Sequence, residues 1–132
     1  IAAQGGAVVK TMGDAVMAVF RQPLGAVLAI QNAHAEITKT EGTPPLYLKV
    51  GIHRGPCIAV TLNERLDYFG STVNAAARLP GLAEGGEIVL SEQAASDPQV
   101  SEWLANSQLP HGQFEATVKG FEQSFRLWRV KL

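Results

Sequence analysis

Two short, mainly apolar runs, residues 7–12 and Ala15–Phe20, flank the polar turn pair Gly13-Asp14, which predicts two strands joined as a hairpin. Pro23 then opens a stretch with Leu24, Val27, Leu28 and Ile37 on one face, a helix reaching about Thr40 before Gly42 and Pro44-Pro45 stop it. Leu46, Leu48, Val50 and Ile52 alternate along a strand over residues 46–53, and Gly55-Pro56 breaks it. Residues 57–62 read as the next strand, which turns at Asn63-Glu64 into a short polar strand carrying Asp67. Gly70 ends that strand, and a helix over residues 72–83 follows, with Ser71 or Thr72 as its cap.

Beyond the Gly85-Gly86 turn, residues 87–90 look like a buried strand, and Ser91 caps a short helix at Glu92–Ala95. A helical turn at residues 98–104 and an antiparallel pair, residues 114–118 with Ser124–Lys131 around Gly120, complete the chain. Interleaved strands and helices with several hairpins place the fold in the α+β class, with a mainly antiparallel sheet.

Composition narrows the function. The 132 residues are 46% hydrophobic, enough for one domain with its own core. Eleven Lys and Arg against twelve Asp and Glu give a net charge of −1, so no general attraction to nucleic acid or anionic lipid is expected. Cys57 is the single cysteine, which rules out an intrachain disulfide and fits a reducing compartment. No apolar run approaches the roughly 18 residues of a membrane span. A start at Ile1 reads as a cut within a longer protein, and a cytoplasmic domain of a protein that could itself be membrane-tethered is expected.

The candidate chemistry gathers in the middle of the chain. On the 72–83 helix Asn74 and Arg78 are four residues apart and share one face, with Val73, Ala76 and Ala77 assigned to the buried side. An amide and a guanidinium near a helix start suit a sugar oxygen and a phosphate. Asp14, at a hairpin tip, is a common turn residue and equally a rigidly held carboxylate able to bind Mg²⁺. His53 reads as a packing residue at a strand end, and His34 and His111 as surface residues. No His/Cys cluster supports zinc, and neither Gly-Gly pair has the lysine–serine sequel of a P-loop.

The phrases Val8-Val-Lys-Thr-Met-Gly-Asp14 and Arg65-Leu-Asp-Tyr-Phe-Gly-Ser-Thr-Val-Asn-Ala-Ala-Ala-Arg-Leu79 resemble the catalytic domain of the class III adenylate and guanylate cyclases. The resemblance spans nearly the whole chain. It implies a ferredoxin-like α/β sandwich with a C-terminal β-hairpin extension, and conversion of ATP to 3′,5′-cyclic AMP and pyrophosphate. By the same resemblance Lys10 and Asp67 read the adenine, Asn74 orients the ribose, and Arg78 holds charge on the α-phosphate. Lys119 touches the triphosphate, and Asp14 is one of two aspartates binding Mg²⁺ or Mn²⁺. The sites of this family are shared across a head-to-tail dimer, so a homodimer binding ATP is expected, without nucleic acid and without membrane contact from this domain.

The family's opening strand, with the first metal aspartate, and its first helices have no counterpart in residues 1–132. The resemblance places that strand between the strands of residues 46–53 and Ala15–Phe20. The isolated chain is therefore expected to be catalytically silent. The competing expectation is a non-catalytic dimerisation or nucleotide-sensing module that keeps the cyclase fold.

Overall fold

A hairpin of β1 (Gly6–Met12) and β2 (Ala15–Phe20) opens the fold, paired antiparallel from Gly6 opposite Phe20 to Met12 opposite Ala15. The register slips once, between Val8 and Lys10, as a β-bulge does. The structure is a computed structural model and describes residues 5–12, 15–38, 48–55, 58–62, 65–118, 120–121 and 123–132. Helix α1 (Pro23–Thr38) starts on a proline, whose missing N–H costs nothing in a first turn. Its buried residues are Ala26, Val27 and Ala29, with Leu24 and Ile30 packed partly against the core. Leu28 is half-buried, and the Ile37 side chain lies outside the described residues.

Strand β3 (Lys49–Ile52) follows, then a second hairpin of β4 (Ile58–Leu62) and β5 (Arg65–Phe69). Helix α2 (Ser71–Arg78) continues directly into a 3₁₀ turn, Leu79–Leu82. The 72–83 helix expected from sequence is thus two kinds of helix in series. Pro80 explains the change, because it has no N–H to donate to the carbonyl four residues back. Next come β6 (Glu87–Ser91), α3 (Glu92–Ala95) and α4 (Pro98–Asn106). Ser91 caps α3 by accepting from the Ala94 N–H at 3.2 Å, and Asp97 caps α4 by accepting from the N–H groups of Gln99 and Val100. The closing pair, β7 (His111–Thr117) and β8 (Ser124–Lys131), starts three residues earlier than the sequence pattern suggested.

The main sheet has the order β3-β6-β8-β7, parallel between β3 and β6 and antiparallel elsewhere. All five residues of β6 are buried, so this strand is covered on both faces. Its alternation sorts the core into two layers. Ile88 and Leu90 join Val27, Val100, Leu104 and Val130 beneath α1, α3 and α4. Val89 points the other way, into a cluster with Leu79, Ala83, Val118 and Leu127. This is the α+β sandwich that the sequence pattern and family resemblance indicated.

Helix α1 packs against both β2 and β3, yet no ladder joins those strands. Among the described residues the outer edges of β2 and β3 are unpaired, and Val16 on β2 is 60% exposed. No helix among the described residues is long and apolar enough to cross a membrane.

Candidate active site on the α2 arm

Strand β5 delivers the chain to α2 through Gly70, whose φ of 133° is one that residues with a Cβ rarely adopt. Gly70 itself occupies the N-cap position, and no side chain caps the helix. The expected Ser71 or Thr72 cap is therefore replaced by a backbone turn. Thr72 instead packs on Gly55, where a Cβ would come within 2.6 Å of the Thr72 hydroxyl oxygen.

On α2, Asn74 and Arg78 are both exposed and one turn apart, as their spacing required. Arg78 lies in the last turn, where a cation also suits the negative helix end. The buried side differs from expectation. Ala75 and Leu79 occupy it, whereas Val73 and Ala76 are half-buried and Ala77 is exposed. Ala75 and Leu79 are themselves four apart, and Leu79, at 1% exposure, is the residue that anchors the arm in the core.

Beneath the arm lies β3. A Cβ on Gly51 would sit within 2.7 Å of Pro80 Cδ, and closer still to Leu79, so the 3₁₀ turn rests directly on the β3 backbone. The far end of the arm is held by two charged residues that the sequence reading did not single out. Glu87 Oε1 accepts from the Glu84 N–H at 2.8 Å, while Arg129 Nη2 donates to the Leu82 carbonyl at 3.1 Å. Arg129 Nε is 3.2 Å from Glu87 Oε1, an ion-pair distance, although its N–H does not point straight at the oxygen. The guanidinium lies over the Phe114 ring at 4.4 Å, a cation–π contact. The available signal was an acidic residue opening an otherwise apolar strand, since a buried carboxylate requires a partner.

Lys10 is half-buried on β1, opposite Met17. Strand β1 lies beside β5, in which Asp67 pairs with Val60, so the two strands of the proposed base-reading pair are neighbours. The Asp67 side chain, Asp14 and Lys119 lie outside the described residues. Next to Lys119, Val118 is buried in the cluster that holds Leu79. Among the described residues no group of three or more His, Cys, Asp and Glu could hold a metal ion. The donor set in view does not by itself make a two-metal site.

His53, at the end of β3, meets Phe125 edge-on at 6.4 Å, and Phe125 meets Phe121 in the same way at 5.1 Å. Burial holds the imidazole below its usual pKa, and its Nδ1 is buried without a hydrogen-bond partner among the described residues. That environment fits packing and gives no sign of acid–base duty. His111 is exposed, its Nδ1 2.8 Å from the Leu109 carbonyl oxygen, whereas His34 is half-buried on α1 and not a surface residue.

Residues 1–121 match the family described as the adenylate and guanylate cyclase catalytic domain. An adenylate cyclase of Lachancea kluyveri is 36% identical over 116 residues, covering 70% of this chain. An uncharacterized protein of Mycobacterium tuberculosis is 36% identical over 124 residues, covering 91% of it. The chain spans only 6% and 30% of the lengths of these two curated relatives. Among solved structures, the guanylate cyclase domain of RhGC from Catenaria anguillulae in complex with GTP superposes with a TM-score of 0.78 at 20% identity. That superposition covers 98% of this chain and 74% of the other, and it bears on the fold. With the family match over most of its length and the same fold beneath it, the chain belongs to the adenylate and guanylate cyclase catalytic domain family.

Proposed function

We propose that this chain is the larger part of an adenylate cyclase catalytic domain that converts ATP to 3′,5′-cyclic AMP and pyrophosphate. The observation that carries the reading is the α2 arm: Asn74 and Arg78 stand exposed one turn apart while Ala75 and Leu79 fix the opposite side. In the reaction the ribose 3′-oxygen bonds to the α-phosphorus and gives up its proton. The bond from that phosphorus to the bridging oxygen breaks, and pyrophosphate leaves. Asn74 orients the ribose, and Arg78 stabilises the charge that grows on the α-phosphoryl oxygens. The ion used by the family, Mg²⁺ or Mn²⁺, would polarise the reacting oxygens, with Asp14 as one ligand.

Adenine is the favoured base. The Lys10 ammonium can donate to adenine N1 and the Asp67 carboxylate can accept from its N6 amino group, whereas guanine presents the reverse pattern. The Lachancea kluyveri relative bears the name adenylate cyclase, while the Catenaria anguillulae neighbour was solved with GTP, so the two resident side chains decide the preference. The site is shared across a homodimer, Lys10, Asn74 and Arg78 acting opposite the partner's metal-binding carboxylates, in a cytoplasmic domain.

Among the described residues the outer edges of β2 and β3 are unpaired while α1 packs against both strands, which favours a second element of the reading. One strand belongs between them, and the chain alone is catalytically silent. The same edges support the rival reading of a non-catalytic module. Cyclic AMP formation, measured with Mg²⁺ and with Mn²⁺, separates the two. The chain is assayed alone and mixed with a complete domain whose Asn74 and Arg78 equivalents are replaced by alanine. Activity only in the mixture supports a chain that donates Asn74 and Arg78 to a shared site. A mixed dimer without activity supports the non-catalytic module.

A further inference from the structure

The carboxylate of Glu87 and the guanidinium of Arg129 hold no surface loop; they hold the end of the arm that presents Arg78. Between them they bind the Leu82 carbonyl and the Glu84 N–H, the backbone groups on either side of Ala83. Ala83 is buried in the cluster with Leu79, so the clamp and the core seize the same short segment. The helix changes type immediately after Arg78, from about 3.6 residues per turn to about 3.0. Any loosening of the 3₁₀ turn therefore rotates the last residue of α2, and that residue is Arg78.

We propose that Arg129 and Glu87 are positioning residues for Arg78, setting its reach through the 3₁₀ turn. The role rests on the cyclase reading above. Arginine is required at 129 because one planar group serves three contacts at once: the Glu87 carboxylate, the Leu82 carbonyl and the Phe114 face. A lysine ammonium has no such geometry. Glu87, 8% exposed, supplies the compensating charge and passes the restraint to Glu84.

The test uses the complete, dimeric cyclase domain and steady-state kinetics of Arg129→Ala, Arg129→Lys, Arg78→Ala and the Arg78→Ala/Arg129→Ala double variant. Arg129→Ala is expected to lower kcat about 10- to 100-fold with KM within about threefold, as a misplaced catalytic group does. Arg129→Lys recovers only part of the loss. The double variant is no slower than Arg78→Ala alone, because Arg129 acts through Arg78. A merely structural role would instead multiply the two losses. Glu87→Gln keeps an oxygen for the Glu84 N–H while removing the charge; it gives a smaller fall with the same non-additivity, and stands in should Arg129→Ala fail to fold. Unchanged kcat in Arg129→Ala, or multiplicative losses in the double variant, overturn the positioning role alone. A complete wild-type domain that makes no cyclic nucleotide overturns the cyclase reading, and this inference with it.

Discussion

Gly51 and Pro80 meet so closely that β3 and the 3₁₀ turn tolerate no side chain between them: a Cβ on Gly51 would lie 2.7 Å from Pro80 Cδ and 2.9 Å from its nitrogen. The obstructing atoms are a proline ring and backbone, which cannot swing aside. Gly51→Ala is expected to destabilise the domain by about 1–3 kcal/mol through overpacking. Urea denaturation of the variant checks this, and an unchanged midpoint would show that the arm moves off β3 freely.

Base choice should follow the charges at positions 10 and 67. In the complete domain, Lys10→Glu with a compensating change at Asp67 is expected to lower ATP turnover far more than Asn74→Ala shifts the base preference. Parallel ATP and GTP rates for these variants are the measurement. An unaltered ATP preference in the Lys10 and Asp67 variants would remove the reason for naming adenine.

Arg78 is expected to act on the transition state. Truncation to alanine should cost on the order of 100-fold in kcat, with a smaller effect on KM. Near-normal turnover with a much raised KM would assign Arg78 to ground-state binding instead.

His53 makes stability depend on pH in a definite direction. Burial depresses its folded-state pKa below the unfolded value of 6.5. Its contribution is therefore fully present above pH 6.5 and declines as pH falls through 6.5 towards the folded value, because the unfolded chain takes up a proton first. Denaturation midpoints of wild type and His53→Gln across mildly acidic pH should diverge on the alkaline side and converge on the acidic side. Parallel curves would show that His53 is solvated in the native state.

The hairpins, the buried β6 strand and the shared face of Asn74 and Arg78 were legible in the sequence because each follows from a local signal: turn residues, a continuous apolar run and helical spacing. The family phrases added the roles proposed for those residues and the base-reading pair proposed on β1 and β5. The Gly70 cap was hidden behind Ser71 and Thr72, which are better capping residues than the backbone turn that took the place. The helix break at Pro80 could have been read from the missing N–H, but apolar spacing on both sides of it masked the change. The Arg129 bond to Leu82 spans 47 positions, and no periodicity reaches that far.

Leu79 and Val118 belong to one apolar cluster, and each is the sequence neighbour of a cation proposed to meet phosphate: Arg78 for one, Lys119 for the other. That cluster is in effect a ruler, its width the distance at which the chain is held at Leu79 and at Val118. Leu127, fully buried on β8, belongs to the same cluster and helps to set that width. Shortening it to alanine would cost about 2–5 kcal/mol of stability, and it would also slacken the ruler without touching a charged group. Selection at such a position would then preserve a length as well as a hydrophobic contact, and turnover would report its loss in a protein that still folds.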